Sequence, residues 1–71
     1  MPTFGEKLRT LRLRRGMTQR ELAAQLGYSN HSHITLVENG KRNPTVELVV
    51  KVANLFHVTT DQLVRDEVEL P

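Results

Sequence analysis

Three copies of one helix-start signal constrain this chain more than any other feature. A threonine is followed three residues later by Glu or Gln at Thr3–Glu6, Thr18–Glu21 and Thr59–Gln62. In such a capping box the threonine oxygen accepts a backbone N–H of the first helical turn, and the Glu or Gln side chain closes back on the threonine N–H. Three of these starts within 71 residues leave room only for short helices.

Apolar residues at helical spacing complete the pattern, and glycines mark where segments end. Gly16, Gly27 and Gly40 follow the first three periodic segments. The sequence predicts an all-α fold, a compact single-domain bundle of five short helices without a sheet. The predicted helices cover about residues 4–15, 19–26, 31–38, 45–56 and 60–65, and an acidic tail follows over residues 66–71.

The same spacing predicts which residues of each helix face the core. The expected core residues of the first three helices are Phe4, Leu8, Leu11, Leu22, Ala23, Leu26, Ile34 and Val37. Arg15 is a further candidate for the same face of the first helix. The expected apolar face of the fourth helix consists of Val46, Val49, Val50, Ala53 and either Leu55 or Phe56.

Charge is distributed unevenly along the chain. Residues 1–51 hold nine of the ten Lys and Arg but only four of the eight acids, whereas residues 52–71 hold Arg65 against the other four acids. A basic body suits a polyanionic partner such as nucleic acid, and an acidic tail would be held away from it. Scattered charge on an ordinary small domain is the alternative reading.

The composition also excludes several classes of protein. The chain has no cysteine, so disulfides, thiolate metal sites and cysteine nucleophiles are ruled out. It has no apolar run of membrane-spanning length, and its N-terminus lacks the apolar stretch of a signal peptide. We therefore expect a cytoplasmic protein with no membrane partner.

The order of three small or branched residues points to a helix-turn-helix. That motif needs a small residue where its helices cross, a glycine that can take a positive φ at the turn, and a branched apolar residue on the second helix. Ala23, Gly27 and Ile34 supply these in order, and Val37 lies one turn further on the same inward face. Three residues suit the N-cap of this second helix, namely Ser29, Asn30 and Ser32.

At these residues the sequence resembles the lambda-repressor and Cro-like family of regulators, also called the Xre family. The carriers of the resemblance are MTQRELAAQLG (17–27), ITLVENGKRNP (34–44) and HVTTDQLV (57–64), and the resemblance extends over residues 4–64. The stretch from Gly27 to Ile34 is one residue longer than the commonest family spacing. The register of residues 30–32 is therefore open by about one position.

The resemblance implies that the third helix enters the major groove of double-stranded DNA while the second crosses the backbone. Gln19 is expected to touch a phosphate and to brace the side chain of His31. The residues expected to contact phosphates are Gln19, Arg20, His33, Asn39, Lys41 and Arg42. The residues expected to contact bases are His31, Ser32, Thr35 and Leu36. An ordinary surface leucine and a solvated basic loop are the alternative readings of Leu36 and of residues 41–42.

Two further sets of residues receive structural roles. Arg12 and Glu38 match positions at which the family has an ion pair inside the fold. One module reads only a few base pairs, so regulators of this size use two half-sites and a homodimer is expected. The residues that remain for a dimer interface are Leu63, Val64, Val68 and Leu70. The tail either pairs as a short strand with its mate or frays.

The spacing of the histidines argues against a catalytic or metal site. On a helix, His31 and His33 point about 200° apart. No metal-ligand set and no Gly-rich phosphate loop accompanies them. No metal, cofactor or enzymatic activity is expected. The sequence thus predicts a DNA-binding transcription regulator, a repressor or autoregulator, that recognises a specific operator. The alternative is an antitoxin or other interaction module that uses the same fold to bind a protein partner.

Overall fold

Five α-helices follow one another in the computed structural model, which describes residues 3–71. They are α1 (Phe4–Arg14), α2 (Gln19–Gln25), α3 (Ser32–Glu38), α4 (Val46–Phe56) and α5 (Thr60–Val64). No strand occurs within residues 3–71, and the predicted all-α fold is confirmed. Each helix is one residue shorter than predicted, because the residue included in error is a cap: Arg15, Leu26, His31, Thr45 or Arg65.

The threonine signals start helices through bonds made within three residues. Thr18 and Thr59 form reciprocal capping boxes with Glu21 and Gln62, and every bond in them is 2.9 or 3.0 Å long. At Thr3 only half of the box forms, since the hydroxyl accepts the Glu6 N–H at 3.4 Å but the carboxylate returns to the hydroxyl and not to the backbone. A side-chain cap of this kind stabilises a helix by about 1 kcal/mol.

The turn between α2 and α3 contains the extra residue noted in the sequence. Gly27 has a φ of +84°, in the left-handed region that favours glycine. His31 occupies the N-cap position of α3 but makes no side-chain cap. Instead Asn30, one residue earlier, accepts the Ser32 N–H on its Oδ1 at 2.9 Å. None of the three predicted candidates occupies the N-cap position, although Asn30 closes the start of α3 from the residue before it.

Residues from all five helices meet in one hydrophobic core. The buried apolar residues are Phe4, Leu8, Leu11, Leu22, Ala23, Leu26, Ile34, Val37, Leu48, Val49, Val52, Ala53, Phe56 and Leu63. The apolar faces predicted for α1, α2 and α3 are confirmed, whereas Arg15, the further candidate on the α1 face, is exposed. No helix formed by residues 3–71 has the length and apolar character needed to cross a membrane.

The predicted face of α4 is wrong at two positions. Val46 is 81% exposed and Val50 is 44% exposed, whereas Leu48 and Val52 are fully buried. The helix is apolar on several sides, so spacing alone allows more than one register. Thr45 caps the helix by accepting the Leu48 N–H at 3.1 Å, and the face that then packs inward includes Leu48 and Val52.

Two residues of α1 tie distant parts of the chain together. A Cβ on Gly5 would overlap the backbone carbonyl of Val37, so α1 approaches the end of α3 more closely than a larger residue allows. Lys7 as a residue is 1% exposed. Its ammonium donates to the carbonyls of Gln62, Arg65 and Val68 at 2.7, 2.7 and 2.6 Å. These three bonds hold the segment after α5 against α1.

Candidate nucleic-acid interface

A buried ion pair lies beneath the helix-turn-helix. Arg12 donates from Nε to Glu38 Oε2 at 2.8 Å and from Nη2 to Glu38 Oε1 at 3.0 Å. The two side chains are 10% and 2% exposed. Arg12 also donates from Nη1 to the Met17 carbonyl at 2.8 Å, which fixes the loop before α2. The pair expected from the family resemblance therefore joins α1 to the last residue of α3.

Gln19 continues this network to the surface. Its Nε2 donates to Glu38 Oε1 at 3.1 Å, and its Oε1 accepts the Thr35 hydroxyl at 2.7 Å. The predicted brace between Gln19 and His31 is wrong, because the amide is taken up by side chains further along α3. His31 enters the network only through its backbone carbonyl, which lies 3.2 Å from the Thr35 hydroxyl.

The four residues predicted to contact bases all keep some solvent exposure. Ser32 is exposed, and His31, Thr35 and Leu36 are half-buried. A shallow depression opens where the starts of α2 and α3 meet. Its lining residues are Arg12, Thr18, Gln19, Arg20 and His31. A phosphate at this depression would lie between a cationic side chain and the exposed end of α3.

Exposed polar and cationic residues lie at the other end of α3. Asn39, Lys41 and Arg42 all have exposed side chains. The backbone N–H groups of Lys41 and Arg42 donate to the Leu36 carbonyl at 2.9 and 3.3 Å, so the loop that carries these side chains is held against α3. Arg20 is exposed on α2. Exposed cations therefore lie near the start of α3 and just after its end.

His33 does not belong to this surface in the way the sequence suggests. Its ring stacks on Tyr28 with the ring centroids 5.6 Å apart. Tyr28 has a second contact, because the Lys51 ammonium lies 4.6 Å from its ring centroid. His33 Nε2 is buried and has no hydrogen-bond partner among the described residues. The structure therefore contradicts a phosphate contact through Nε2 and packs His33 of α3 against Tyr28 in the turn between α2 and α3.

The predicted dimer interface also needs correction. Leu63 is fully buried in the core and cannot contact a partner subunit, whereas Val64 is 50% exposed. Val68 and Leu70 are half-buried, and Leu70 packs on the core. Residues 66–68 form a turn and a bend within the single chain, and the pairing of the tail with a second subunit stays a prediction. Lys7 holds this segment through the Val68 carbonyl, an arrangement that spacing along the chain does not reveal.

Three apolar residues are exposed although the sequence pattern does not predict it. Val46 and Val50, one turn apart on α4, lie on the face that spacing predicts to be buried, and Leu13 on α1 is 55% exposed. The cap at Thr45 marks where α4 begins, whereas the burial of Leu48 and Val52 follows from tertiary packing. Among residues 3–71 no group of three or more His, Asp or Glu side chains is placed to hold a metal ion.

A bundle of five helices with this turn and this surface defines the helix-turn-helix class of DNA-binding transcription regulators. A helix-turn-helix family model matches residues 8–63. The chain belongs to that family, of the Xre or lambda-repressor type.

Named relatives match most of the chain. It is 39% identical over 64 residues to the HTH-type transcriptional activator BcrR of Enterococcus faecalis, covering 90% of this chain but 31% of the activator. It is 37% identical over 65 residues to an uncharacterized HTH-type transcriptional regulator of Archaeoglobus fulgidus, covering 90% of this chain and 91% of that protein. The chain thus spans under a third of one relative and nearly all of the other.

Solved structures share the fold. The restriction-modification controller protein C.AhdI from Aeromonas hydrophila is 33% identical, with a TM-score of 0.74 over 84% of this chain and 89% of that one. The P22 c2 repressor, solved in complex with a synthetic operator, is 19% identical, with a TM-score of 0.83 over 94% of this chain and 100% of that one. The second likeness concerns the fold alone.

Proposed function

We propose that this protein binds a specific double-stranded DNA operator by placing α3 in the major groove, and that it does so as a homodimer. The observation that carries the proposal is the anchoring of α3. Thr35 on its outer face is joined through Gln19 to Glu38, and thus to the buried ion pair. A reading surface must be held rigidly to discriminate bases, and this network supplies the rigidity.

The cations around α3 support contact with the DNA backbone. Arg20, Lys41 and Arg42 are exposed, the first beside the start of α3 and the other two just after its end. Phosphate contacts position a protein on the duplex, whereas base contacts specify the sequence. We assign these three cations, with Gln19 and Asn39, to phosphates. Ser32, Thr35, His31 and Leu36 are assigned to bases.

We propose that the regulator represses transcription. A protein bound at an operator that overlaps a promoter blocks polymerase without any further contact, so repression requires nothing beyond the DNA-binding surface. Such a regulator works where the chromosome is, in the cytoplasm, and this role needs no catalysis and no cofactor. A promoter–reporter fusion tests whether the protein represses or activates. Expression of the reporter should fall when the protein is supplied and recover with a variant that lacks the Lys41 and Arg42 charges.

Selection from random double-stranded DNA tests sequence recognition directly. We expect one enriched sequence made of two inverted half-sites about one helical turn apart, because a symmetric dimer presents two copies of α3. Failure to enrich any sequence would overturn the proposal. Enrichment of a single half-site would leave base recognition intact but overturn the homodimer.

Val64 provides the test of the dimer surface. Of the four residues expected at the interface it is the one with a largely exposed apolar side chain, at 50%. We expect Val64→Asp to reduce the subunits bound per operator from two to one in sedimentation experiments. Leu13→Asp, at a similarly exposed residue of α1, is the matched control. Equal stoichiometry in the Val64 variant and the wild type would exclude this surface.

A protein partner is the second candidate function, and the exposed residues of α4 favour it. Val46 and Val50 share one side of the helix at 81% and 44% exposure, and neither takes part in the surface assigned to DNA. An antitoxin would use such residues to hold its toxin. Purified protein mixed with the product of the adjacent reading frame should then form a complex that Val46→Lys disrupts while operator binding persists.

A further inference from the structure

We propose that the buried Arg12–Glu38 pair sets the hydrogen-bond direction of Thr35, so that the Thr35 hydroxyl meets a base only as an acceptor. The inference deepens the proposed function and rests on it, because it concerns which base edges α3 selects. It follows from four side chains linked in a row, with Arg12 at the buried end and Thr35 at the exposed face of α3.

The first step concerns Glu38. A carboxylate paired with a guanidinium has only acceptor atoms to offer. Glu38 Oε1 receives Arg12 Nη2 at 3.0 Å and lies 3.1 Å from the Gln19 amide. If the amide were turned over, two oxygens would face each other at that separation. Gln19 must therefore present its NH₂ group to Glu38.

The second step passes this direction to Thr35. With the Gln19 NH₂ group turned to Glu38, the Gln19 oxygen faces the Thr35 hydroxyl at 2.7 Å. Two oxygens at this distance need a hydrogen between them, and only the hydroxyl carries one. The one other protein neighbour of this hydroxyl in the network is the His31 carbonyl, at 3.2 Å, which is also an acceptor. The single Thr35 proton is thus retained within the protein.

The third step is the consequence for DNA. A threonine hydroxyl with a free proton can donate to guanine or thymine oxygens or accept from amino groups. Here only a lone pair and the methyl group remain for the major groove. The lone pair accepts from the amino groups of adenine N6 or cytosine N4, and the methyl group can contact a thymine methyl. Guanine O6 and N7 would meet an oxygen that has no hydrogen to give.

Base analogues in the DNA test whether the Thr35 hydroxyl of the unmodified protein accepts or donates its hydrogen bond. Operator selection with the wild type and with Thr35→Val, which keeps the shape and loses the hydroxyl, identifies the base pair that Thr35 reads. Replacing the adenine or cytosine there by an analogue without the amino group should weaken wild-type binding roughly 5- to 150-fold, the range of one good base contact. The same analogue should cost Thr35→Val nothing further. A 7-deaza purine, which removes the N7 acceptor, should leave wild-type binding unchanged.

Glu38→Gln tests the origin of the direction. A glutamine at position 38 can donate to Gln19, which lets the Gln19 amide turn over and donate to the Thr35 oxygen. The Thr35 proton then has only the His31 carbonyl, at 3.2 Å, as a protein acceptor and can turn towards a base. We expect this variant to lose its dependence on the base amino group, although no group on the DNA-facing surface has changed. Glu47→Gln, in an exposed pair with Lys51 on α4, is the matched control and should bind as the wild type does.

The outcomes separate the inference from the function on which it rests. A loss of wild-type affinity with the 7-deaza purine that disappears in Thr35→Val would show Thr35 donating, and would overturn the inference alone. So would unchanged base preference in Thr35→Val when an operator is still selected. The absence of any enriched operator would overturn the proposed function as well. The analogue measurements need no destabilised variant, so they decide the question even if Glu38→Gln unfolds.

Discussion

The Arg12 guanidinium makes its polar contacts in a place that water barely reaches. With 10% of the side chain exposed, it bridges Glu38 and the Met17 carbonyl. Such a pair adds little net stability over an apolar substitute of the same shape, since both charges lose their hydration. The pair matters because it holds Glu38 in place. Glu38 also accepts a hydrogen bond from the Gln19 amide, which in turn orients Thr35 at the exposed face of α3.

Removing one partner of this pair should be costly. We expect Arg12→Met to lower the free energy of unfolding by about 3 to 5 kcal/mol, because it leaves the Glu38 carboxylate buried without its cation. Denaturant unfolding followed by circular dichroism measures the change. Arg9→Met, at an exposed residue of the same helix, should change stability by no more than about 0.5 kcal/mol. Equal effects of the two substitutions would contradict a buried role for Arg12.

Glu21 couples the start of α2 to pH. Its carboxylate accepts the Thr18 backbone N–H, and this bond, with a smaller contribution from the Thr18 side chain, lowers the Glu21 pKa from its ordinary value of 4.5. A lowered pKa in the folded state means that the charged form stabilises the fold. That contribution is present above the unfolded-state pKa and is lost as the pH falls through the lowered folded-state value.

Glu21→Gln isolates this effect, because the box at Thr59 shows that a glutamine fits the same geometry. We expect the wild type and the variant to differ most in unfolding free energy above the ordinary glutamate pKa. The difference should shrink as the pH falls through the lowered folded-state pKa of Glu21, below which both side chains are neutral. Unfolding curves over this pH range provide the measurement. A difference that stays constant with pH would rule out the charge as its cause.

At the scale of elements, short helices depend on what they pack against. Helices α2 and α3 have seven residues each and α5 has five, well below the length at which a helix is stable alone in water. Caps start them, and the core and the side-chain bonds between them keep them folded. The carbonyl end of α5 shows this dependence most clearly, because Lys7 from α1 supplies its donors.

Lys7→Met should loosen the end of α5 and the tail. The three carbonyls lose a charged donor, and bonds to charged groups contribute roughly 1.5 to 3 kcal/mol each in favourable cases. We expect lower stability and faster amide exchange over residues 60–71. Lys51→Met, at a half-buried lysine with a raised pKa through its bond to Glu47, is the matched control. Unchanged amide exchange at residues 60–71 in the Lys7 variant would contradict the role of Lys7 in holding the end of α5 and the tail.

At the scale of the whole molecule, base contacts and phosphate contacts should separate in their salt dependence. Phosphate contacts release counterions, so Lys41→Ala or Arg42→Ala should weaken binding to every DNA sequence and reduce the salt slope by roughly one unit each. Ser32→Ala should instead relax discrimination at one position of each half-site, by about 1 to 3 kcal/mol for a good contact, with little change in slope.

Binding isotherms on operator and scrambled DNA at several salt concentrations distinguish the two kinds of contact. Glu47→Ala, away from the proposed DNA surface on α4, serves as the control for a general change in protein charge. An undiminished salt slope in both the Lys41 and the Arg42 variants would remove these residues from the phosphate surface. It would leave the assignment of α3 to the bases untouched.

The helices themselves could be predicted from sequence because their starts are local. A threonine oxygen finds its N–H three residues away, as at Thr18 and Thr59, whatever the rest of the chain does. The glycine of the turn is local in the same sense, since Gly27 needs only its own φ. The pairing of Arg12 with Glu38 was accessible by a different route, through the resemblance to a family.

The residues alone were therefore enough to predict the number and order of the helices, the starts marked by threonine caps, and the presence of the motif. The tertiary structure alone decided which face of α4 is buried, that Leu63 belongs to the core, and that Gln19 bonds Thr35. Lys7 shows the reason, because its partner Val68 lies 61 residues away. No local pattern encodes such a contact, which exists only once the packing of α1 against α5 has brought a buried ammonium and three backbone carbonyls together.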